Sequence, residues 1–415
     1  TCHFDLDCSV PPEKMPDCLN RFLPADIRVL EVCVEYCFFV DYTGVDSVQK
    51  YLSTHPCSLL SSEYGEIWDY KYDKSEAKQK INAEWDELCS GFKRGLSAAD
   101  ATLSGTILVP FCPESQLSGV KEHFEERTVL YYRRFFTLPQ GFLKDRVLLH
   151  IGAADQVCTV YVNQMKIGTH RGGYESFTLD ITNALKEENE LVICCVDDLR
   201  DQSFPYGKQV LPTKRGGMWY TPVSGIWQTV WLESVPETYV KSLRIDTTAD
   251  TATITAEGVT DGTVTVTTPD GDLSFPLADG KATVKIPSPR RWSPDDPYLY
   301  EFTLEAGEDK VQSYFALRTL EIKQVGGIPR LCLNGSPVFL HALLDQGYFS
   351  DGIYTPASPA CYAQDILAMK SLGFNTLRKH IKIEPERFYY DCDRLGMIVF
   401  QDLVNTGDYY YIRDT

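Results

Sequence analysis

The sequence predicts a multidomain protein: a jelly-roll β-sandwich, an immunoglobulin-like β-sandwich, and then the first strands of an incomplete (β/α)8 barrel. Three observations carry this. Between about 65 and 235, short runs of alternating apolar residues recur with turn signals between them. From about 236 the chain turns rich in Thr and Val, with Asp-Gly pairs near strand ends. After about 322 the period changes to strand, helix, strand, helix, strand, the pattern of parallel β/α units.

The 415-residue length allows several domains, and a hydrophobic fraction of 43% suits real cores. The net charge of −18 argues against nucleic acid, whose phosphates need a basic surface. The 14 cysteines include no Cys-x-x-Cys pair. They read as reduced, buried thiols of a cytoplasmic protein. Neither a signal peptide nor a membrane span is visible: the most apolar early stretch, "VLEVCVEYCFFV", is short and holds two glutamates.

Residues 1–64 form an unassigned leader, in which "VLEVCVEYCFFVDY" reads as a strand or a short buried helix. Residues 65–235 make the jelly roll. "GEIWDYKY" reads as an edge strand and "KSEAKQKINAEWDELCSGFKRGL" as a helix. "VNQMKIG" reads as a hairpin with Asn163 and Gln164 at its tip. In "ELVICCVDD", Cys194 and Cys195 should face opposite sides of one strand. "GIWQTVWLESV" reads as one strand that would place Trp227 and Trp231 on one face. Those two, with Trp219 and Trp292, are core candidates first and ligand-stacking candidates second. Residues 236–322 make the immunoglobulin-like unit.

Residues 323–415 make the truncated barrel part. In "SPACYAQDILAMKSLG", Ile366, Met369 and Leu372 recur at helical spacing before Gly373. "EPERFYYDCDRLG" is a second helix, between Pro385 and Gly396. Polar residues gather at strand ends: His341, Asp345 and Gln346; Arg378, Lys379 and His380; Gln401, Asp402 and Asn405. In a β/α barrel those ends form the active-site face. Asp345 suits bidentate binding of two hydroxyl groups, and His380 suits one.

The phrases "ILVPFCPESQLSGV", "YYRRFFTLP", "HRGGYESFTLDIT", "SGIWQTVWLE", "WSPDDPYLY" and "LNGSPVFLHALLDQGYFSDG" closely resemble glycoside hydrolase family 2, which includes β-galactosidases and β-glucuronidases. They occur in collinear order from about residue 65 onward. The resemblance implies a retaining exo-β-glycosidase acting on a β-galactoside or β-glucuronide. It also implies that Arg378 matches the arginine that ends the second barrel strand and orients the nucleophile. By the same resemblance, Lys208 and Gln209 lie on a loop that reaches from the first domain to the barrel mouth. Gln346, Asp402 and Asn405 complete the substrate-binding candidates. Lys379 and Lys382 are candidate partners for a uronate carboxylate.

In the family the acid/base glutamate follows an Asn-Glu pair at the fourth strand, and the nucleophile ends the seventh. The one Asn-Glu pair here, Asn189–Glu190, falls in a jelly-roll turn. The expectation is therefore an N-terminal fragment whose catalytic glutamates lie beyond Thr415 and which is inactive alone, since retaining hydrolysis needs two carboxylates about 5 Å apart. The rival readings are a non-catalytic carbohydrate-binding or assembly module and an incomplete gene product. No cofactor, metal, nucleic-acid or membrane partner is expected; carbohydrate is, and homo-oligomerisation stays open.

Overall fold

The computed structural model describes residues 27–32, 38–42, 66–73, 105–124, 128–198, 204–209 and 219–404. In the leader, the ambiguous apolar stretch forms strands β1 (Ile27–Val32) and β2 (Phe38–Tyr42), which pair antiparallel. The helix expected over 74–96 lies outside the described residues, as does Asn405.

The first sandwich uses β3 (Glu66–Asp73), β4 (Gly105–Val109), β5 (Thr128–Phe136), β6 (Arg146–Ile151), β7 (Ala154–Asp155), β8 (Val157–Val162), β9 (Met165–Arg171), β10 (Phe177–Asp180), β11 (Asn189–Asp197), β12 (Gly225–Ile226) and β13 (Val230–Val235). A six-stranded sheet, in the order β4-β3-β5-β11-β8-β9, packs on a three-stranded one, β10-β6-β13. The expected edge strand "GEIWDYKY" instead lies inside its sheet as β3, with β4 as its outer neighbour. Period-two alternation explains the core. Leu130, Tyr132, Ile193 and Cys195 face the main interior, while Val129, Tyr131, Val192 and Cys194 form a second cluster on the other face. Cys194 and Cys195 thus point to opposite sides. Asn163 and Gln164 make the β8–β9 turn with φ of 51° and 67°, the twist that suits a two-residue hairpin.

The expected single strand "GIWQTVWLESV" is two, β12 and β13, broken at 227–229. The break separates the two tryptophans. Trp227 is fully buried; Trp231 is exposed.

The second sandwich packs β14 (Ser242–Thr247), β15 (Thr251–Glu257) and β18 (Lys281–Lys285) on a sheet of β17 (Gly271–Leu277), β16 (Gly262–Thr268), β19 (Tyr300–Ala306) and β20 (Asp309–Phe315). Ile254, Val264, Val284, Phe302 and Leu304 fill its core. A hairpin of β21 (Leu320–Val325) and β22 (Ile328–Leu333), extended by β23 (Ser336–Pro337), follows.

The last unit is a three-stranded parallel sheet of β24 (Ala342–Asp345), β25 (Thr376–Lys379) and β26 (Ile398–Gln401). Helices α1 (Ala360–Ser371) and α2 (Glu386–Leu395) connect its strands. Leu343, Ile366, Leu377, Phe388 and Met397 make its core, each large side chain stabilising by ~1.5–3 kcal/mol on burial. Leu372, expected to join the stripe of α1, is exposed.

This sheet is fastened to both sandwiches. Trp227 Nε1 donates to Gly173 O at 2.8 Å, and the Thr355 hydroxyl donates to Trp227 O. The Tyr174 and Tyr354 hydroxyls lie 2.8 Å apart. On the other side Trp292 Nε1 donates to Asp393 O at 2.6 Å, and Tyr314 donates to Asp393 Oδ2 at 3.0 Å. Among the described residues no helix is long and apolar enough to cross a membrane.

Candidate functional site

The register levels the three parallel strands so that Asp345, Lys379 and Gln401 stand side by side at their C-terminal ends. The ladder runs slightly past them: His380 N donates to Asp345 O at 2.7 Å, and Asp402 N to Lys379 O at 3.0 Å. One end of the sheet therefore collects the polar side chains. His341 does not belong to it. It precedes β24, at the opposite end, with Nδ1 3.1 Å from Gly373 O and its ring against Phe374.

Asp402 is the hub of one group. Arg378 Nε lies 3.1 and 3.2 Å from its two oxygens, and His380 Nδ1 lies 2.7 Å from Oδ2. Burial alone would raise the Asp402 carboxyl, but its hydrogen bonds to Arg378 and His380 outweigh that and hold it below the usual range. The His380 imidazole is pushed down, first by burial and then by the positive charges of Lys208 and Arg378, against the pull of Asp402. At neutral pH the pair is a carboxylate accepting from a neutral imidazole, whose Nδ1 carries the proton.

Lys208 reaches this face because its loop passes close to it. Gly207, at φ +62°, lies so near the 381 carbonyl that an added Cβ would stand 2.9 Å from Ile381 O. Gln209, expected beside Lys208 on the face, is turned inward instead. It is fully buried, its Nε2 donates to Asp155 Oδ2 at 2.8 Å, and its Oε1 accepts from Val223 N at 2.5 Å. One end of its amide ties the 204–209 segment to β7 and the other ties it to the 219–224 segment.

A second, buried group lies beneath. Lys379 Nζ is 2.8 Å from Asp345 Oδ2 and 2.7 Å from Glu384 Oε1; Lys382 Nζ is 2.9 Å from the same Glu384 oxygen. Lys382 also donates to Gly347 O at 2.6 Å and Tyr354 O at 2.7 Å. The faces of Trp227, Phe349 and Tyr354 surround its ammonium. Gly347 is required there: at φ +65°, an added Cβ would collide with Glu384 and Lys382. Burial would lower the Lys379 ammonium, but Asp345 and Glu384 outweigh it and hold it above ordinary lysine. For Lys382 burial wins over Glu384, and its pKa falls to about 8. Asp345 is held low: burial would raise it, and Lys379 outweighs that.

Lys379 and Lys382 were candidate partners for a uronate. Both side chains are only 1% exposed and spent on internal acceptors, so neither is free to meet a ligand. Gln346 follows Asp345, and its Oε1 is buried without a hydrogen-bond partner. The strand-end group thus brings together Asp345, Arg378, His380, Asp402 and Lys208. The structural partners Glu384 and Tyr354 escaped the sequence reading, whereas Trp227 is one of its core candidates and is buried. For Glu384 the one signal was a run of alternating charge, "RKHIKIEPE", which reads as a solvated loop because charged residues are seldom fully buried.

A further acidic group sits at the adjoining end of the first sandwich. Ser224 N donates to Glu114 Oε2 at 3.2 Å, and Ser224 Oγ donates to Asp197 Oδ2 at 2.6 Å. Burial pushes Glu114 up to about 8 and Asp197 up to about 7, and raises Asp155 as well. No group of three metal-ligating side chains converges among the described residues.

Chemically, the strand-end face offers two carboxylates that are both held ionised, one exposed guanidinium and one imidazole. Ionised carboxylates accept hydrogen bonds from hydroxyls; neither serves as a proton donor at neutral pH.

Residues 119–236 match the family model "Glycosyl hydrolases family 2, sugar binding domain", and residues 237–318 match "Glycosyl hydrolases family 2". A β-galactosidase of Thermoanaerobacter pseudethanolicus is 26% identical over 321 residues, which cover 70% of this chain and 42% of that protein. A putative β-glucuronidase of Formosa agariphila is 28% identical over 354 residues, covering 79% of this chain and 41% of that protein. The chain thus spans about two-fifths of the length of these relatives. Among solved structures, an uncultured Clostridium β-glucuronidase superposes with a TM-score of 0.65 at 19% identity, covering 82% of this chain and 58% of the other. A Ruminococcus gnavus β-glucuronidase in complex with D-glucuronic acid superposes at 0.63 and 20%, covering 82% and 59%. At these identities the superpositions speak for the fold.

Proposed function

The chain belongs to glycosyl hydrolases family 2, and from that premise we propose that its strand-end face is the substrate-orienting part of a retaining exo-β-glycosidase of β-galactosidase or β-glucuronidase type. The observation that carries this is the Arg378–Asp402–His380 group at the ends of the parallel strands, with Lys208 brought to it from the first sandwich. Asp345, Gln346 and Asn405 belong to the same proposal. Arg378 would fix a neighbouring carboxylate as the anion, and Asp402 would fix Arg378. The proposed division is the sugar-binding-type sandwich at 65–235, the immunoglobulin-like sandwich at 236–322, and the first β/α units of a barrel from 323.

The same geometry supports a second part of the reading: residues 1–415 do not hydrolyse glycosides by themselves. Retaining hydrolysis needs one protonated and one ionised carboxyl. Asp345 and Asp402 are each held ionised by cations, so this pair supplies no acid. The test is to purify residues 1–415 and assay nitrophenyl β-galactoside and nitrophenyl β-glucuronide. Release of nitrophenol should match buffer. In parallel, saturation-transfer NMR with methyl β-galactoside and methyl β-glucuronide should show contact that weakens in Asp402→Asn. Turnover that persists through purification and disappears in Arg378→Ala would overturn the inactive reading; contact indifferent to Asp402→Asn would overturn the site.

A further inference from the structure

Trp231 is 45% exposed on the outer face of the β10-β6-β13 sheet, whereas Trp227 and Trp292 are buried. Leaving an indole in water forgoes much of the ~1.5–3 kcal/mol that burying a large apolar side chain supplies. The ring is nonetheless fixed. It stacks on His150 with centroids 4.8 Å apart and 14° between planes. His150 is itself braced from both sides: Nδ1 lies 2.9 Å from Thr178 Oγ1 and Nε2 2.9 Å from Glu233 Oε2. The register explains this, since Trp231 and Thr178 both stand opposite His150. All three strands of the sheet thus hold one exposed ring in place.

The surroundings are polar. Glu233 is 52% exposed, and its second oxygen is not needed by His150. Asp180 and Glu237 both pair with Arg146, Asp180 at 2.9 Å. Tyr239 stands among them, within the fields of Asp180, Arg146 and Glu233. Three carboxylates against one guanidinium disfavour an anionic ligand. Charges ringing a single aromatic ring also disfavour an apolar protein partner, whose interface core is depleted in charge. A neutral ligand with one flat C–H face and a rim of hydroxyls satisfies both parts.

We propose that this outer face is a saccharide-binding platform, in which the Trp231 indole takes the apolar face of a neutral β-linked sugar ring and the second carboxylate oxygen of Glu233 accepts from one of its hydroxyls. It is separate from the strand-end site. The contacts that fasten the first sandwich to residues 343–404 run through Tyr174, Trp227, Gln116 and Leu117, none of which lies on this face.

The experiment is isothermal titration of the 415-residue chain with two neutral probes, cellotetraose and β-1,4-galactotetraose, and one anionic probe, a tetragalacturonate. Neutral probes should bind in the millimolar range or tighter, and the anionic one more weakly. Trp231→Ala should reduce the association constant about tenfold, the worth of one stacked ring. Trp231→Phe, which keeps an aromatic face, should retain most of it. In the Arg378→Ala background, which disables the strand-end site, the same dependence on Trp231 should persist. Thermal melts establish that each variant is folded. Absence of binding by both neutral probes overturns the proposal, as does binding that Arg378→Ala abolishes and Trp231→Ala does not. A dimer that Trp231→Ala converts to monomer also overturns it, in favour of a second copy on this face.

Discussion

Glu384→Gln removes one charge from the buried lysine group and keeps its shape. Glu384 Oε1 lies 2.7 Å from Lys379 Nζ and 2.9 Å from Lys382 Nζ. Lys379 retains Asp345 at 2.8 Å, so it stays neutralised. Lys382 retains only two carbonyls and three aromatic faces. The cost therefore falls on Lys382. Removing one partner of a buried ion pair costs ~3–5 kcal/mol; with an acceptor kept by the glutamine, the low end, about 3 kcal/mol, is expected. The sign with pH follows from Lys382, which burial already lowers to about 8 against the opposing charge of Glu384. Without that charge it falls further. A lysine with a depressed folded pKa binds fewer protons folded than unfolded, so stability rises with pH between the two values. The variant's extra penalty is thus full only below its lysine's own folded pKa, still most of its size at pH 6, and nearly gone by about pH 9, where the folded-state lysine is neutral with or without Glu384. Hydrogen exchange at the amides of β25, corrected for intrinsic rates, reads the local opening free energy at both pH values. Adding Lys382→Met should recover most of the loss, because it removes the unpaired charge. A penalty below ~1 kcal/mol at pH 6, or one equal at the two pH values, would refute the reasoning.

Three further outcomes are expected. Glu114 and Asp197 have folded pKa values raised to about 8 and about 7, so the unfolded chain ionises first and stability falls as pH rises from about 4.5 to 8; urea midpoints across that window should show Glu114→Gln flattening the slope. Arg378→Ala and Lys208→Ala each remove a positive charge that depresses His380, so each should raise its pKa in an NMR titration, and an unchanged value for Lys208→Ala would separate the loop from the face. Trp227→Ala deletes a fully buried ring and its bond to Gly173, and should cost ~3–5 kcal/mol by denaturant unfolding, with early loss of protection in 343–404.

Much of the fold was legible because period and punctuation are local. The β8–β9 hairpin was readable from Asn163 and Gln164, and α2 from Pro385 and Gly396, since these residues favour turn and cap geometry wherever they sit. The split of "GIWQTVWLESV" was not. Trp227 and Trp231 look equivalent at four-residue spacing, and only the break at 227–229 turns one inward and leaves the other in water. Asp345, Arg378, His380 and Asp402 could be placed at one end of the sheet because parallel strands bring their C-terminal ends level. Gln209 was misplaced, and Lys379 and Lys382 misjudged, because burial of a polar side chain depends on partners far away in the chain.

The sequence by itself determined the order of units, the strands and helices of the last segment, and the residue types gathered at its strand ends. Backbone conformation and alternation of apolar residues are properties of a few neighbours, and a sequence displays them. Tertiary structure alone decided which charges are spent and which are offered. Glu384 neutralises two lysines that would otherwise read as solvent-facing, and Lys208 meets His380 across more than 170 positions of sequence only because the first sandwich folds against the parallel sheet. The free energy of a buried charge is set by what lies within a few ångströms of it, and those neighbours come from distant parts of the chain.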